Sequence, residues 1–235
     1  HYMLESQLSL HNFLRNVSET TKVGGHFIGT SYDGATIFKM LAGKKQGESV
    51  AIMEDGKKIW EVTKQYDRDE FPANSSSVGY GIDVFQESIN KTFKEYLVNY
   101  DYLTRLLENY GFVLLTREEA MENKLPASTG FFNDLYGEMT NEIRRNKRAA
   151  NEYGAAPQMT ASERKISFLN RYFVYKKVRN VDAEKVAVNL LGTTLDEELD
   201  AEDESKRAQE TVLSVIAQDT QKPPQKKKKK LKLIQ

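Results

Sequence analysis

The chain has 235 residues, 39% of them hydrophobic, which is enough for one domain with a sizeable core followed by a tail. It contains no cysteine, which excludes a disulfide scaffold and any thiolate metal site, and its scattered histidines (His1, His11, His26) form no ligand cluster, so no metal is expected. The 34 basic and 34 acidic side chains cancel overall but are unevenly placed, and no apolar run is long enough to cross a bilayer. With no signal-peptide layout either, a soluble intracellular protein without a membrane partner is expected, and the sequons at Asn74 and Asn90 are chance matches.

In chain order, Leu4, Leu8, Leu10, Phe13, Leu14 and Val17 predict a helix that begins almost at once, without a polar lead-in. Together with a first residue that is not methionine, this reads as a piece of a longer polypeptide. Gly24 and Gly25 predict a tight turn and His26 to Thr30 a short strand; Gly25, Gly29 and Gly34 match neither a dinucleotide fingerprint nor a P-loop. Residues 34–42 predict a short helix. The runs SVAIME (49–54) and KIWEVTK (58–64), joined by Asp55-Gly56, predict an antiparallel hairpin insertion, with Trp60 as an anchor of local packing.

The stretch 79–115 organises the rest. Its start, GYGIDV, predicts a strand. Phe93, Leu97, Tyr100, Leu103, Leu106 and Leu107 then recur at three- and four-residue intervals, predicting an amphipathic helix that ends at Gly111, and Phe112 to Leu115 predict a buried strand. On this reading Glu95 sits at the loop-to-helix junction, where the free N–H groups of a first turn favour a carboxylate whether or not it has a functional role. Residues 115–128 predict a loop and short helix. A helix over 130–148 ends in Arg144, Arg145, Lys147 and Arg148, which suit RNA phosphates as well as the helix dipole. A capping box at Thr160 or Ser162 precedes the strand RYFVYKK (171–177), which should close the sheet. Beyond residue 180 come an acidic run (196–204) and the lysines Lys226 to Lys230 and Lys232, predicting a charged, largely disordered tail with short helices at 182–191 and 203–217.

Taken together, His1-Tyr2, GGHFIGTS (24–31), GYGIDV (79–84), KEYLV (94–98) and FLNRYFVYKK (168–177) resemble, in that order, the catalytic half of mRNA cap guanine-N7 methyltransferases. The likeness is greatest to the C-terminal methyltransferase domain of multifunctional capping enzymes of large DNA viruses. It implies an α/β fold: the C-terminal part of a class I (Rossmann-like), doubly wound S-adenosylmethionine-dependent methyltransferase sheet over residues 1–179, with a hairpin insertion and the tail 180–235. The glycine-rich loop and the ribose-binding acid of such a sheet would precede His1. S-adenosylmethionine is implied as methyl donor, and the 5′ end of capped mRNA as partner. Guanylyltransferase and triphosphatase domains are implied on the same longer polypeptide, located, if viral, in the virion, host cytoplasm or nucleus.

The resemblance also implies roles. His1 faces the cap guanine, Tyr2 lies between guanine and S-adenosylmethionine, Glu95 binds the guanine, and Tyr172 opens the last strand against it. Ile82 stands where the family has an apolar or aromatic residue lining the base pocket. The chemistry suits these residue types. Guanine N7 carries a lone pair and no proton, so methylation needs alignment rather than a general base, and no catalytic acid or base is expected. A carboxylate accepts hydrogen bonds from N1–H and the exocyclic amine together and steadies the positive ring that forms. Tyrosine rings pack on the base and favour a nearby sulfonium. Two other readings fit the residues: a class I methyltransferase acting on another RNA site or a small molecule, and a non-catalytic RNA- or partner-binding module.

Overall fold

The computed structural model describes residues 2–192; His1 and the chain beyond 192, with the acidic run, the lysine run and the helix expected at 203–217, lie outside the described residues. A 3-10 turn (Tyr2–Leu4) leads into α1 (Gln7–Thr20), capped by the Ser6 hydroxyl, which accepts from the Ser9 N–H at 3.2 Å. After the glycine turn, with Gly24 at φ +83°, comes β1 (His26–Tyr32), then α2 (Gly34–Met40). β2 (Ser49–Glu54) and β3 (Lys57–Lys64) form the expected hairpin, with Asp55 and Gly56 both at positive φ (49° and 78°), as a tight twisted turn requires.

The next stretch differs from its sequence reading. β4 (Gly81–Gln86) is followed not by a helix but by β5 (Lys91–Tyr96), a second hairpin turning at Asn90 (φ 52°). The helix, α3 (Tyr100–Asn109), starts later, where the Asn99 side chain accepts from the Tyr102 N–H at 3.1 Å. Phe93 and Leu97 matched the helical spacing by coincidence. Glu95 therefore lies in the middle of a strand and not in a first helical turn. β6 (Phe112–Leu114), α4 (Arg117–Glu122), β7 (Thr129–Phe131) and α5 (Phe132–Arg145) follow. Then come α6 (Ala161–Ser167), whose capping box pairs Thr160 with Glu163, and β8 (Asn170–Lys177). Residues 183–192 are helical, close to the expected 182–191, and Ala183 and Ala187 of that helix are buried in the core, so packing continues beyond residue 179.

The architecture is mixed α/β with two antiparallel sheets. In the first, β8 is not the closing strand but the central one: β1 pairs along one edge, while β7 and β6 share the other. Because β1 and β6 both run antiparallel to β8, they point the same way. The second sheet is a meander, β2-β3-β4-β5, so the expected insertion is a whole sheet rather than one hairpin.

Each sheet has its own core. In the first, Phe173 and Tyr175 of β8 meet Leu10 and Leu14 of α1 and Leu103, Leu106 and Leu107 of α3. In the second, Trp60, Val62, Ile82 and Val84 meet Ile37 and Leu41 of α2. Each such fully buried aliphatic side chain contributes about 1.5–3 kcal/mol. α2 links the two sheets at close range. The Gly34 N–H donates to Val98 O at 3.1 Å, and a Cβ at Gly34 would lie 2.3 Å from that oxygen, so only glycine permits the approach.

Candidate active site

Directly paired residues of neighbouring strands share a face. On β1 and β8 one face carries Phe27, Ser31, Arg171, Phe173 and Tyr175 and is covered by α1 and α3. The other carries Ile28, Thr30, Tyr32, Asn170, Tyr172 and Val174; at the β1 edge it is open, with Ile28 67% exposed. Tyr172 pairs with Thr30 on one side and Gly130 on the other. Its ring is buried, its hydroxyl donates to Ala127 O at 3.0 Å, and burial pushes its pKa up.

At the end of β1, Tyr32 reaches from the first sheet to the second. Trp60 Nε1 donates to its hydroxyl at 3.0 Å and Gln86 Nε2 at 3.1 Å. Burial raises the Tyr32 pKa, and the charge of Glu95 raises it further. Glu95 is thus within electrostatic reach of β1, on the face of the second sheet that holds Trp60, Val62, Ile82 and Val84, and directly paired with Ile82. Since α3 begins only at Tyr100, the helix dipole does not account for Glu95.

Tyr2, in the 3-10 turn, is 64% exposed. That turn is tied to β5 and its neighbour: Gly79 N–H donates to Leu4 O at 3.0 Å, and Tyr96 Oη donates to Glu5 Oε1 at 2.9 Å. His1 lies outside the described residues. The fold thus sets the turn bearing Tyr2 beside β5, Glu95 and Ile82 opposite one another, and Tyr172 on the β1 face that ends in Tyr32. The floor beneath is fixed by Asp33, which caps α2 through the Thr36 N–H (2.8 Å) and accepts from Arg171 Nε at 2.8 Å, while the Arg171 guanidinium lies over the rings of Phe131 (4.6 Å) and Tyr100 (5.0 Å).

Sequence reasoning passed over Tyr32. Its signal was slight: the last residue of a strand, just before an Asp helix cap. A cavity of about 1080 Å³ between α4, α5 and residues 152–159 contains none of these residues. Among the described residues no group of three or more His, Cys, Asp or Glu could hold a metal, and no helix is long and apolar enough to cross a membrane.

Residues 1–178 match the family model described as the mRNA (guanine-N(7))-methyltransferase domain, and the chain belongs to that family, S-adenosylmethionine-dependent enzymes that methylate N7 of the mRNA cap guanine. It is also 26% identical over 217 residues to a protein of Acanthamoeba polyphaga mimivirus described as a probable mRNA-capping enzyme, a match covering 83% of this chain. The chain spans 18% of the length of that relative.

The cavity of about 260 Å³ beside β1, walled by Phe13, Phe27, Leu103 and Phe173 among others, presents no carboxylate to a ribose.

Proposed function

We propose that this chain forms the guanine-binding part of a cap N7 methyltransferase built on a class I sheet, and that its partner is the 5′ end of capped mRNA. S-adenosylmethionine is the methyl donor that the family implies, and the residues of this chain act on the guanine side. Glu95 accepts from guanine N1–H and the exocyclic amine, Tyr172 and Tyr2 pack against the base, Ile82 lines the pocket, and His1 completes it. No proton leaves N7, so the protein's contribution is orientation and the stabilisation of a positively charged ring by Glu95. The length of the mimiviral relative leaves room for guanylyltransferase and triphosphatase domains on the same polypeptide.

The observation that carries this reading is the position of Glu95: a carboxylate on a strand, opposite a buried isoleucine, with no helix terminus to explain it. The test is transfer of labelled methyl from S-adenosylmethionine to GpppA-capped RNA by a polypeptide carrying this chain and its upstream coding sequence. Wild type should methylate N7, and Glu95→Ala should lose at least about a hundredfold in kcat/KM. Equal activity in both would remove Glu95 from the site.

A further inference from the structure

We infer that the groove along α5 takes the single-stranded RNA that follows the cap, with bases against its aromatic lining and phosphates on a cationic rim ending at Arg145, Lys147 and Arg148. The inference rests on the guanine-pocket reading of Glu95 and Tyr172.

The groove begins beside Tyr172. That residue pairs with Gly130, and its hydroxyl donates to Ala127 O at 3.0 Å; Pro126 and Phe132, next to those two positions, already line the cavity of about 1080 Å³. From there Phe132, Tyr136, Met139 and Arg145 line it along α5, whose 14 residues span about 20 Å. A strand of RNA leaving the pocket along this helix reaches the basic cluster beyond its triphosphate bridge.

Local structure does not explain all of that cluster. Cations are favoured in the last turn of a helix, which accounts for Arg144 and Arg145. Lys147 and Arg148 instead open the 3-10 helix Lys147–Glu152, an end that favours anions. Asn146 joins the two helices, accepting from the Arg148 N–H at 3.2 Å, and Ala149, 1% exposed, pins the turn to the body of the protein. The basic side chains themselves are exposed, and among the described residues Arg145, Lys147 and Arg148 form no ion pair. On the facing wall, Arg117 at the start of α4 and Lys124 just past its end are also exposed and line the groove.

The interior suits unpaired bases. Phe132, Tyr136 and Tyr153 are half-buried rings, and every base has a π-face to lay on such a ring. Glu142, which accepts from Tyr153 Oη, lines the groove with Glu138 and Glu152. Carboxylates accept from base amines and repel phosphate, so the backbone belongs on the cationic rim and not on the floor. An apolar peptide would use the rings but not the rim, which decides for a polyanion.

The test compares the dinucleotide GpppA with GpppA-capped RNA of about 12 nucleotides as methyl acceptors, in the polypeptide that carries this chain with its upstream coding sequence. Wild type should have a KM about tenfold lower for the capped RNA, rising steeply with salt. Arg145→Glu, Lys147→Glu and Arg148→Glu combined should bring KM for capped RNA close to the dinucleotide value and flatten its log–log salt slope by about 2. The corresponding glutamine variants should shift the same quantities in the same direction by less, and they decide the matter if the charge reversals do not fold. A capped-RNA KM that stays at the wild-type value in both sets, as a groove for a peptide would give, overturns the inference, and so does a rise shared equally by the dinucleotide. Glu95→Ala separates the two readings. If it loses methylation of GpppA while the cationic variants treat capped RNA as wild type does, the groove alone falls; if it methylates GpppA like wild type, the guanine pocket falls and this inference with it.

Discussion

Glu95 stands directly across from Ile82 in the β4–β5 hairpin, so the carboxylate is presented by the same strand pair that supplies the buried floor of the second sheet. Glu95→Gln keeps the size and strand position but turns one acceptor oxygen into a donor that faces the guanine N–H groups. Activity on capped RNA should fall at least about a hundredfold in kcat/KM, because a buried donor pair then meets a donor. The thermal midpoint should stay within about 1 °C of wild type, since the half-exposed side chain adds little to the core.

Tyr172 separates ring from hydroxyl. Its Oη donates to Ala127 O, away from any role in stacking. Tyr172→Phe should cost about 1 kcal/mol of stability and leave kcat/KM within about threefold, while Tyr172→Ala removes the wall itself and costs about 3 kcal/mol together with most cap affinity. Urea unfolding and cap-analogue titration check the two halves separately.

His11 gives the fold an acid limit. It is fully buried in α1, its Nδ1 is 2.8 Å from Tyr110 Oη, and among the described residues its Nε2 has no partner. Burial lowers its pKa below the ordinary 6.5, so the folded state holds the neutral ring. Its contribution is therefore fully present above about pH 6.5 and is lost as pH falls from there toward the folded-state value, at up to about 1.4 kcal/mol per pH unit. Urea midpoints at about pH 7.5 and about pH 5 should differ more for wild type than for His11→Asn, which removes the titrating group.

Gly34→Ala should destabilise by at least about 2 kcal/mol, because its Cβ would lie 2.3 Å from Val98 O and 2.8 Å from Val98 N, backbone atoms that cannot move aside. Gly137→Ala in α5, where nothing lies within 4 Å, is the control and should be neutral or stabilising by about 0.5–1 kcal/mol. Thermal melts of the two variants side by side decide it.

How much of this was legible in the sequence depends on whether the signal was local. Asp55-Gly56 announces its hairpin because the turn itself demands those residues, and Thr160 with Glu163 announces α6 for the same reason. The β4–β5 hairpin was missed although QESIN is a mostly polar turn cluster and Thr92 and Lys94 are exposed where Phe93 and Glu95 between them are partly buried. The three- and four-residue spacing of Phe93, Leu97 and Tyr100 imitated a helix across what is a strand and a loop. Asn99 as an N-cap was the local cue that placed the true helix start. The place of β8 was not local at all: which strands lie on either side of RYFVYKK is settled by pairings across more than fifty residues of chain in one case and about 140 in another. Tyr32 was missed for that same reason, since its partners Trp60 and Gln86 belong to the other sheet.

The central strand of the first sheet also sets a timetable. β8 is the last strand of the described chain, yet β1, β6 and β7 all hydrogen-bond to it. A nascent chain emerging from the ribosome can complete the β2–β5 meander early, because each strand there pairs with its immediate successor, whereas the first sheet must wait, its edges open, until residues 170–177 have been made. Synthesis halted before that point leaves exposed strands ready to pair with other chains, so premature termination anywhere upstream of Asn170 should yield aggregates rather than a smaller folded protein.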